Sequence, residues 1–144
     1  MTPLTFGNFP SAKALISASA LSLAVLATGV QAQALPASCS VLIKATSVCM
    51  RGAADGVAAL KPTESKTLLR PNYTSMMGSM LSERPDSASY CRSKDSADVI
   101  IASMKGLATK YGIADPQALV TDDCRAAMKP LIQQVVAAHP ELAQ

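Results

Sequence analysis

The stretch SCSVLIKATSVCMRGAADG, residues 38–56, decides the fold because it holds two cysteines ten residues apart within a helical pattern. Apolar residues recur every three or four positions there and just beyond, as in an amphipathic helix: Leu42, Ala45, Cys49, Ala53, Val57 and Leu60. We expect Ser38 to cap this helix. We expect the helix to end before Pro62, because a residue that precedes proline avoids the helical region.

Gly52 and Gly56 lie one turn apart in the same stretch. Each glycine weakens a helix by up to about 1 kcal/mol relative to alanine. Glycines at such positions usually mark the close approach of a neighbouring helix, and a ligand-facing role is the alternative. We therefore expect a later segment of the chain to pack against this part of the first helix.

Shorter helices are predicted in the middle of the chain. A helical turn is expected over residues 63–70, and a second helix over residues 72–84. The second helix has one apolar stripe: Tyr73, Met76, Met77, Met80 and Leu81. Residues 86–94 are expected to form a connector with one helical turn around Tyr90.

Two longer helices are predicted in the last third of the chain. Asp95 is expected to cap the first of them, and Gly112 stands where a left-handed glycine commonly ends a helix. Its apolar residues follow helical spacing: Val99, Ile100, Met104, Leu107 and Tyr111. Asp115 and Pro116 are typical of a helix start, and Pro130 within the last run predicts a kink or two helices that meet there. No segment alternates like a strand, so the predicted fold class is all-α.

The four cysteines are expected to form two disulfide bonds. Ten residues of helix rise about 15 Å, whereas bridged Cα atoms lie about 4.4–6.8 Å apart, so Cys39 cannot pair with Cys49. In an up-down bundle, Cys91 returns to the level of Cys39, and Cys124 reaches the level of Cys49. We therefore predict Cys39–Cys91 and Cys49–Cys124 bridges in a small up-down bundle of four to five helices.

Residues 1–34 are predicted to be a cleaved secretory signal peptide. Lys13 precedes an uncharged apolar run over residues 14–30, and small residues offer cleavage after Ala32 or Ala34. A membrane anchor is the alternative, but the strongly apolar part is shorter than the roughly 20 residues that a span needs. Lipidation of Cys39 is a second alternative, which would leave an odd number of thiols. We expect a single periplasmic or secreted domain over residues 35–144, without stable membrane insertion.

Composition argues against several classes of function. The predicted mature part keeps ten acidic residues and loses only Lys13 of thirteen basic ones, so its formal charge is 12 − 10 = +2. The basic residues form no run, so nucleic acid is not an expected partner. The chain has no Cys-x-x-Cys pair, and its one histidine, His139, lies near the end without an evident partner. We therefore expect neither a metal site nor a cofactor.

Catalytic residues are equally scarce. Asp122 and Asp123 could form a paired-carboxylate site, but we expect them one turn into a helix or at the start of a helix that Thr121 caps. No serine elbow, phosphate loop or free-thiol motif is present. We expect no enzymatic activity.

The methionines of the second predicted helix are the most suggestive local feature. Met76, Met77 and Met80 place three thioethers in five residues. Core filling is the expected role, but thioethers also suit an adaptable partner surface or Cu(I). A small-ligand or copper carrier is therefore an alternative function. An envelope chaperone or secretion accessory protein is another, and it would need a large exposed apolar patch.

The cysteine order and the first helix resemble the small periplasmic immunity proteins that neutralise peptidoglycan amidase effectors of type VI secretion. The matching features are Cys39, a Gly-x-x-x-Gly-like helix from Cys49 to Gly56, Cys91 before a long helix, and Cys124. The chain departs from the family pattern at Arg92 and in its tail. The resemblance implies a helical, non-catalytic protein that occludes a secreted cell-wall hydrolase.

Two loops are the expected contacts for a protein partner, either a secreted effector or an envelope protein. They cover Lys61–Lys66 and Arg84–Lys94 and are rich in lysine, arginine, serine and aspartate. The candidate contact residues are Lys61, Lys66, Arg84, Asp86, Arg92 and Lys94.

Overall fold

The computed structural model describes residues 34–144, so the predicted signal peptide lies outside the described residues except for Ala34. The described part contains five α-helices: α1 (Ala37–Leu60), α2 (Tyr73–Ser82), α3 (Ser87–Tyr90), α4 (Lys94–Lys110) and α5 (Asp122–Ala138). Short 3-10 helices cover Glu64–Thr67, Pro116–Leu119 and Pro140–Ala143. No strand occurs in this part of the chain, and the all-α prediction is confirmed. None of its helices is long and apolar enough to cross a membrane.

Helix α1 is the centre of the bundle, since α2, α4 and α5 all pack against it. Its side chains are buried around much of its circumference, including Cys39, Leu42, Ala45, Cys49, Met50, Ala53 and Val57. The other helices complete the core with Met77, Leu81, Ile100, Met104 and Leu131. The described part of the chain therefore has one core, organised along its longest helix.

Two helix starts differ from the predictions. Helix α1 begins after Pro36, whose extended backbone (φ −56°, ψ 146°) places it at the N-cap, so Ser38 is a buried residue of the first turn. Helix α4 begins after Ser93, which has the extended backbone of an N-cap. Asp95 lies in the first turn instead, where its negative charge still suits the helix dipole.

The segment before α5 is also different from the prediction. Asp115 accepts a hydrogen bond from the Gln117 amide (3.0 Å), but Pro116 opens only a 3-10 turn. Val120 and Thr121 are extended, and the Thr121 hydroxyl then accepts from the Cys124 amide (3.1 Å) to cap α5. The alternative in which Thr121 caps a helix that starts with Asp122 and Asp123 is thus confirmed.

Pro130 lies inside a continuous α5, so the expectation of two helices meeting there is wrong. Proline removes the hydrogen bond to the carbonyl four residues earlier, which belongs to Ala126. Both residues are exposed, and water can therefore satisfy that carbonyl. Gly112 does have the predicted left-handed backbone, with φ 64°.

The disulfide prediction is confirmed. Cys39 is bonded to Cys91 with a Cα–Cα distance of 5.1 Å, and Cys49 to Cys124 with 4.4 Å. All four cysteines are buried. The bridges span 52 and 75 residues of sequence, and the chain-entropy argument gives each about 4 kcal/mol of stabilisation. Buried bridges of this kind are compatible with a compartment outside the cytosol.

The two glycines of α1 face the segment that leads into α5. A β-carbon on Gly52 would lie 2.9 Å from the Thr121 hydroxyl oxygen, and one on Gly56 would lie 3.0 Å from a Leu119 methyl carbon. The expected close approach is therefore present, although the approaching segment is a 3-10 turn and a helix cap rather than the middle of a helix.

Gly52→Ala is expected to destabilise the protein by about 1–3 kcal/mol, as over-packing usually does. The new methyl would displace the Thr121 hydroxyl, whose bond to the Cys124 amide caps α5. Thr121 is β-branched and cannot turn aside freely. Urea unfolding of the mature protein measures the change.

Gly106→Ala is the matched control, because Gly106 is an exposed position inside α4 with nothing within 4 Å of the new β-carbon. It is expected to stabilise the protein by about 0.5–1 kcal/mol through helix propensity alone. Equal stabilisation by both substitutions would contradict the close contact between Gly52 and Thr121.

Candidate functional site

The two loops predicted to bind a partner lie at opposite ends of the bundle. Cys91 is bonded to Cys39 near the start of α1, whereas Lys61 follows directly after the end of α1. Helix α1 has 24 residues and is therefore about 36 Å long. The six candidate residues do not form one surface, and a compact partner site would use one loop or the other.

The segment over residues 84–94, which contains the single turn of α3 and is here called the 84–94 loop, carries a cluster of side chains that contact one another. The Arg84 guanidinium donates two hydrogen bonds of 3.0 Å to the two carboxylate oxygens of Asp86. Its central carbon also lies 4.0 Å from the centre of the Tyr90 ring, within the range of a cation–π contact. The hydrogen bond to Arg84 lowers the pKa of Asp86 and raises the pKa of Arg84.

The base of the 84–94 loop is anchored to two other elements. Cys91 is bonded to α1, and the Gln134 side chain of α5 donates to the carbonyl oxygens of Cys91 (2.6 Å) and Ser38 (3.0 Å). The buried Ser96 hydroxyl donates to the Ser93 carbonyl (2.7 Å) where the loop enters α4. The later part of the loop is thus anchored to both α1 and α5.

The remaining candidate residues have simpler surroundings. Lys94 forms an ion pair with Asp98, which raises the pKa of Lys94. Arg92 is exposed, and no salt bridge joins it to an acidic residue in the described part of the chain. At the other end, Lys66 is exposed on its 3-10 helix and Lys61 is half-buried. The Lys61–Lys66 loop has no disulfide anchor.

The three methionines of α2 lie in different environments, one buried and two exposed. Met77 is buried against the core with 6% exposure, as the core-filling prediction requires, whereas Met76 and Met80 are 50% and 42% exposed. A shared Cu(I) site needs all three sulfur atoms directed at one ion. The separation of the buried Met77 from the exposed Met76 and Met80 does not favour such a site. Met76 and Met80 instead contribute to the apolar surface of α2.

Polar groups with catalytic potential are scattered over the described residues. His139 approaches Glu141 with 3.3 Å between Nδ1 and Oε1, so this histidine has the partner that its sequence context did not reveal. Asp122 pairs with Arg125 at 2.6 Å. Between residues 34 and 144, no three histidine, cysteine or acidic side chains are grouped so that they could hold a metal ion.

Two open grooves were not foreseen from the sequence. The α1–α5 groove, of about 750 Å³, contains charges of both signs from Lys44, Arg51, Asp55 and Asp123. The α4–α5 groove, of about 330 Å³, is mainly apolar and includes Ile101 and Ile132. Both isoleucines fall outside the apolar stripes predicted for their helices. An apolar residue outside the stripe on each of two neighbouring helices was the sequence feature that could have indicated this groove.

Arg84→Ala is expected to raise the pKa of Asp86 towards its ordinary value of about 3.9. Because the folded-state pKa is lowered, the pair contributes stability above about pH 4 and loses it as the pH falls through the folded-state value. A carbon-13 NMR titration of the Asp86 carboxyl group measures the shift. Arg125→Ala, which removes a guanidinium paired with Asp122, should leave the Asp86 pKa unchanged, and an equal response to both variants would contradict the assigned pair.

The chain matches no protein-family model, no curated protein and no solved structure. The likeness to periplasmic immunity proteins therefore stands on the cysteine order and the first helix alone.

Proposed function

We propose that this chain is an exported, non-catalytic binding protein that uses the 84–94 loop to occlude a protein partner. The observation that supports the proposal most directly is the rigidity of this loop. Its first residues are joined by the Arg84–Asp86 fork, and Cys91 is held by the Cys39–Cys91 bond and the Gln134 amide. A loop ordered before binding loses little conformational entropy when it docks.

The chemistry of the loop suits recognition of a protein. Arginine and tyrosine dominate the binding energy of many interfaces, and Arg84 and Tyr90 already stack on each other. The Asp86 side chain is 55% exposed and Arg92 is exposed, so the loop presents charges of both signs. A complementary surface would be steered and oriented by those charges.

An immunity role is the specific form of this proposal. An anchored loop at one end of the bundle could enter the cleft of a cell-wall hydrolase and block it. The two buried disulfides suit an oxidising compartment, where such a hydrolase would meet its inhibitor. Occlusion requires no catalytic group in the inhibitor itself.

Affinity capture tests the proposal with the mature, disulfide-bonded protein. The immobilised protein is expected to retain one protein from a cell-envelope extract at a one-to-one ratio. The retained protein should degrade purified peptidoglycan, and this activity should stop when one equivalent of the mature chain is added. Capture of no stoichiometric protein would refute the binding proposal, and capture of a protein without cell-wall activity would refute the immunity form.

Paired charge reversals locate the contact surface. Arg92→Glu is expected to weaken the complex about tenfold or more, since the exposed guanidinium lies in the proposed interface. Lys66→Glu makes the same charge change at the opposite end of the bundle and should leave affinity unchanged. Surface plasmon resonance with the captured partner measures the affinity of both variants. A loss of affinity for Lys66→Glu but not for Arg92→Glu would assign binding to the Lys61–Lys66 loop.

A further inference from the structure

The α4–α5 groove has a composition that distinguishes it from the rest of the surface. Apolar side chains from both helices line it, together with the turn between them: Ile100, Ile101, Met104, Pro116, Val120, Met128 and Ile132. Ile101 and Ile132 remain 45% and 50% exposed. Its volume of about 330 Å³ falls at the lower end of the range for small-ligand sites, roughly 300–1,000 Å³.

The charges in this groove have one sign. Among the described residues that line it, the charged ones are Lys105 and Arg125. Asp122 pairs with Arg125 from the outer side, where its own side chain is 97% exposed, and no salt bridge joins Lys105 to an acidic residue in the described part of the chain. Lys129 follows Arg125 by one turn, on the same side of α5.

The two cations of the groove lie towards one of its ends, away from Ile101 and Ile132. Ile101 precedes Lys105 by about one turn of α4, and Ile132 follows Arg125 by about two turns of α5. Lys105 is near the end of α4 and Arg125 near the start of α5, so both cations lie towards the turn that connects the helices. Apolar side chains therefore line the whole groove, and both cations lie towards one end of it.

We propose that the α4–α5 groove binds one small amphiphile with an aliphatic tail and a single carboxylate head group. The tail lies along Ile101 and Ile132, and the carboxylate lies between Lys105 and Arg125. Met104 and Met128 are unbranched and adapt to the shape of the tail. This site is separate from the 84–94 loop and does not depend on the proposed partner.

Charge favours this occupant over a second copy of the chain. A twofold dimer brings the same patch of both copies together, so the interface would contain Lys105 and Arg125 from each copy and no acidic side chain of the groove lining. Like charges across an interface disfavour that arrangement. An anionic head group would neutralise Lys105 and share the Arg125 guanidinium with Asp122.

Isothermal titration calorimetry of the mature protein with dodecanoate, below its micelle concentration, tests the site. We expect one molecule per chain with a dissociation constant on the order of 10 μM. Dodecyltrimethylammonium has the same tail and the opposite charge, and it should bind at least about tenfold more weakly. No binding of dodecanoate, or equal binding of both probes, would overturn the proposal.

Substitutions separate the two parts of the site. Ile132→Glu should abolish dodecanoate binding, whereas Leu69→Glu, at an 82% exposed position outside the groove, should not change it. Lys105→Glu should weaken dodecanoate about tenfold and favour dodecyltrimethylammonium. Because Ile132 and Lys105 are exposed, both variants are expected to fold, and circular dichroism checks this. Equal binding by the wild type and Ile132→Glu would place the ligand elsewhere.

Two further measurements address other occupants. Sedimentation equilibrium without ligand is expected to show a monomer, and a dimer that Ile132→Glu dissociates would assign the groove to self-association instead. Flotation with phosphatidylglycerol vesicles is expected to leave the protein in solution. Vesicle binding that requires Ile132, without binding of free dodecanoate, would assign the groove to a lipid surface.

Discussion

The rise of helix α1 separates Cys39 from Cys49 by about 15 Å, and this distance determines how the rest of the chain is arranged. Neither thiol can reach the other, so each is joined to a distant segment, 52 or 75 residues away. One bond brings the end of the 84–94 loop to the start of α1, and the other brings the start of α5 to its middle. The two bonds therefore fix which segments lie beside α1, and the other helices pack against it.

Close packing next to the second bond depends on small side chains. Cys49 and Cys124 have Cα atoms only 4.4 Å apart, and the next turn of α1 presents Gly52 to Thr121. Thr121 has two roles there, because its hydroxyl caps α5 and its side chain fills the space above the glycine. The disulfide sets the approach of the two segments, and the absence of a β-carbon at Gly52 makes that approach sterically possible.

Periodicity and covalent geometry were enough to predict the helices and both bridges. The end of α1 before Pro62 and the left-handed Gly112 follow from local backbone restrictions that operate in any context. The caps were harder, because Ser38, Ser93, Asp95 and Thr121 are all acceptable cap residues and the choice depends on where the disulfides place each helix start.

Helical spacing identified an apolar stripe on α2, but only tertiary packing decides that Met77 is covered while Met76 and Met80 are not. The α4–α5 groove was missed for the same reason, since it exists only between two helices.

Helix α5 contributes to both proposed surfaces. Gln134 binds the Cys91 carbonyl at the base of the 84–94 loop, and Ile132, two residues earlier, lines the α4–α5 groove. Coupling between two sites requires an element with two arrangements that each ligand biases differently. Helix α5 is held near its start by the Cys49–Cys124 bond and near its end by Gln134, so it offers no second arrangement at low cost. Occupation of the groove should therefore leave the affinity of the 84–94 loop for the proposed partner unchanged, because the Cys39–Cys91 bond holds the loop and a separate bond, Cys49–Cys124, holds the helix that lies between the two sites.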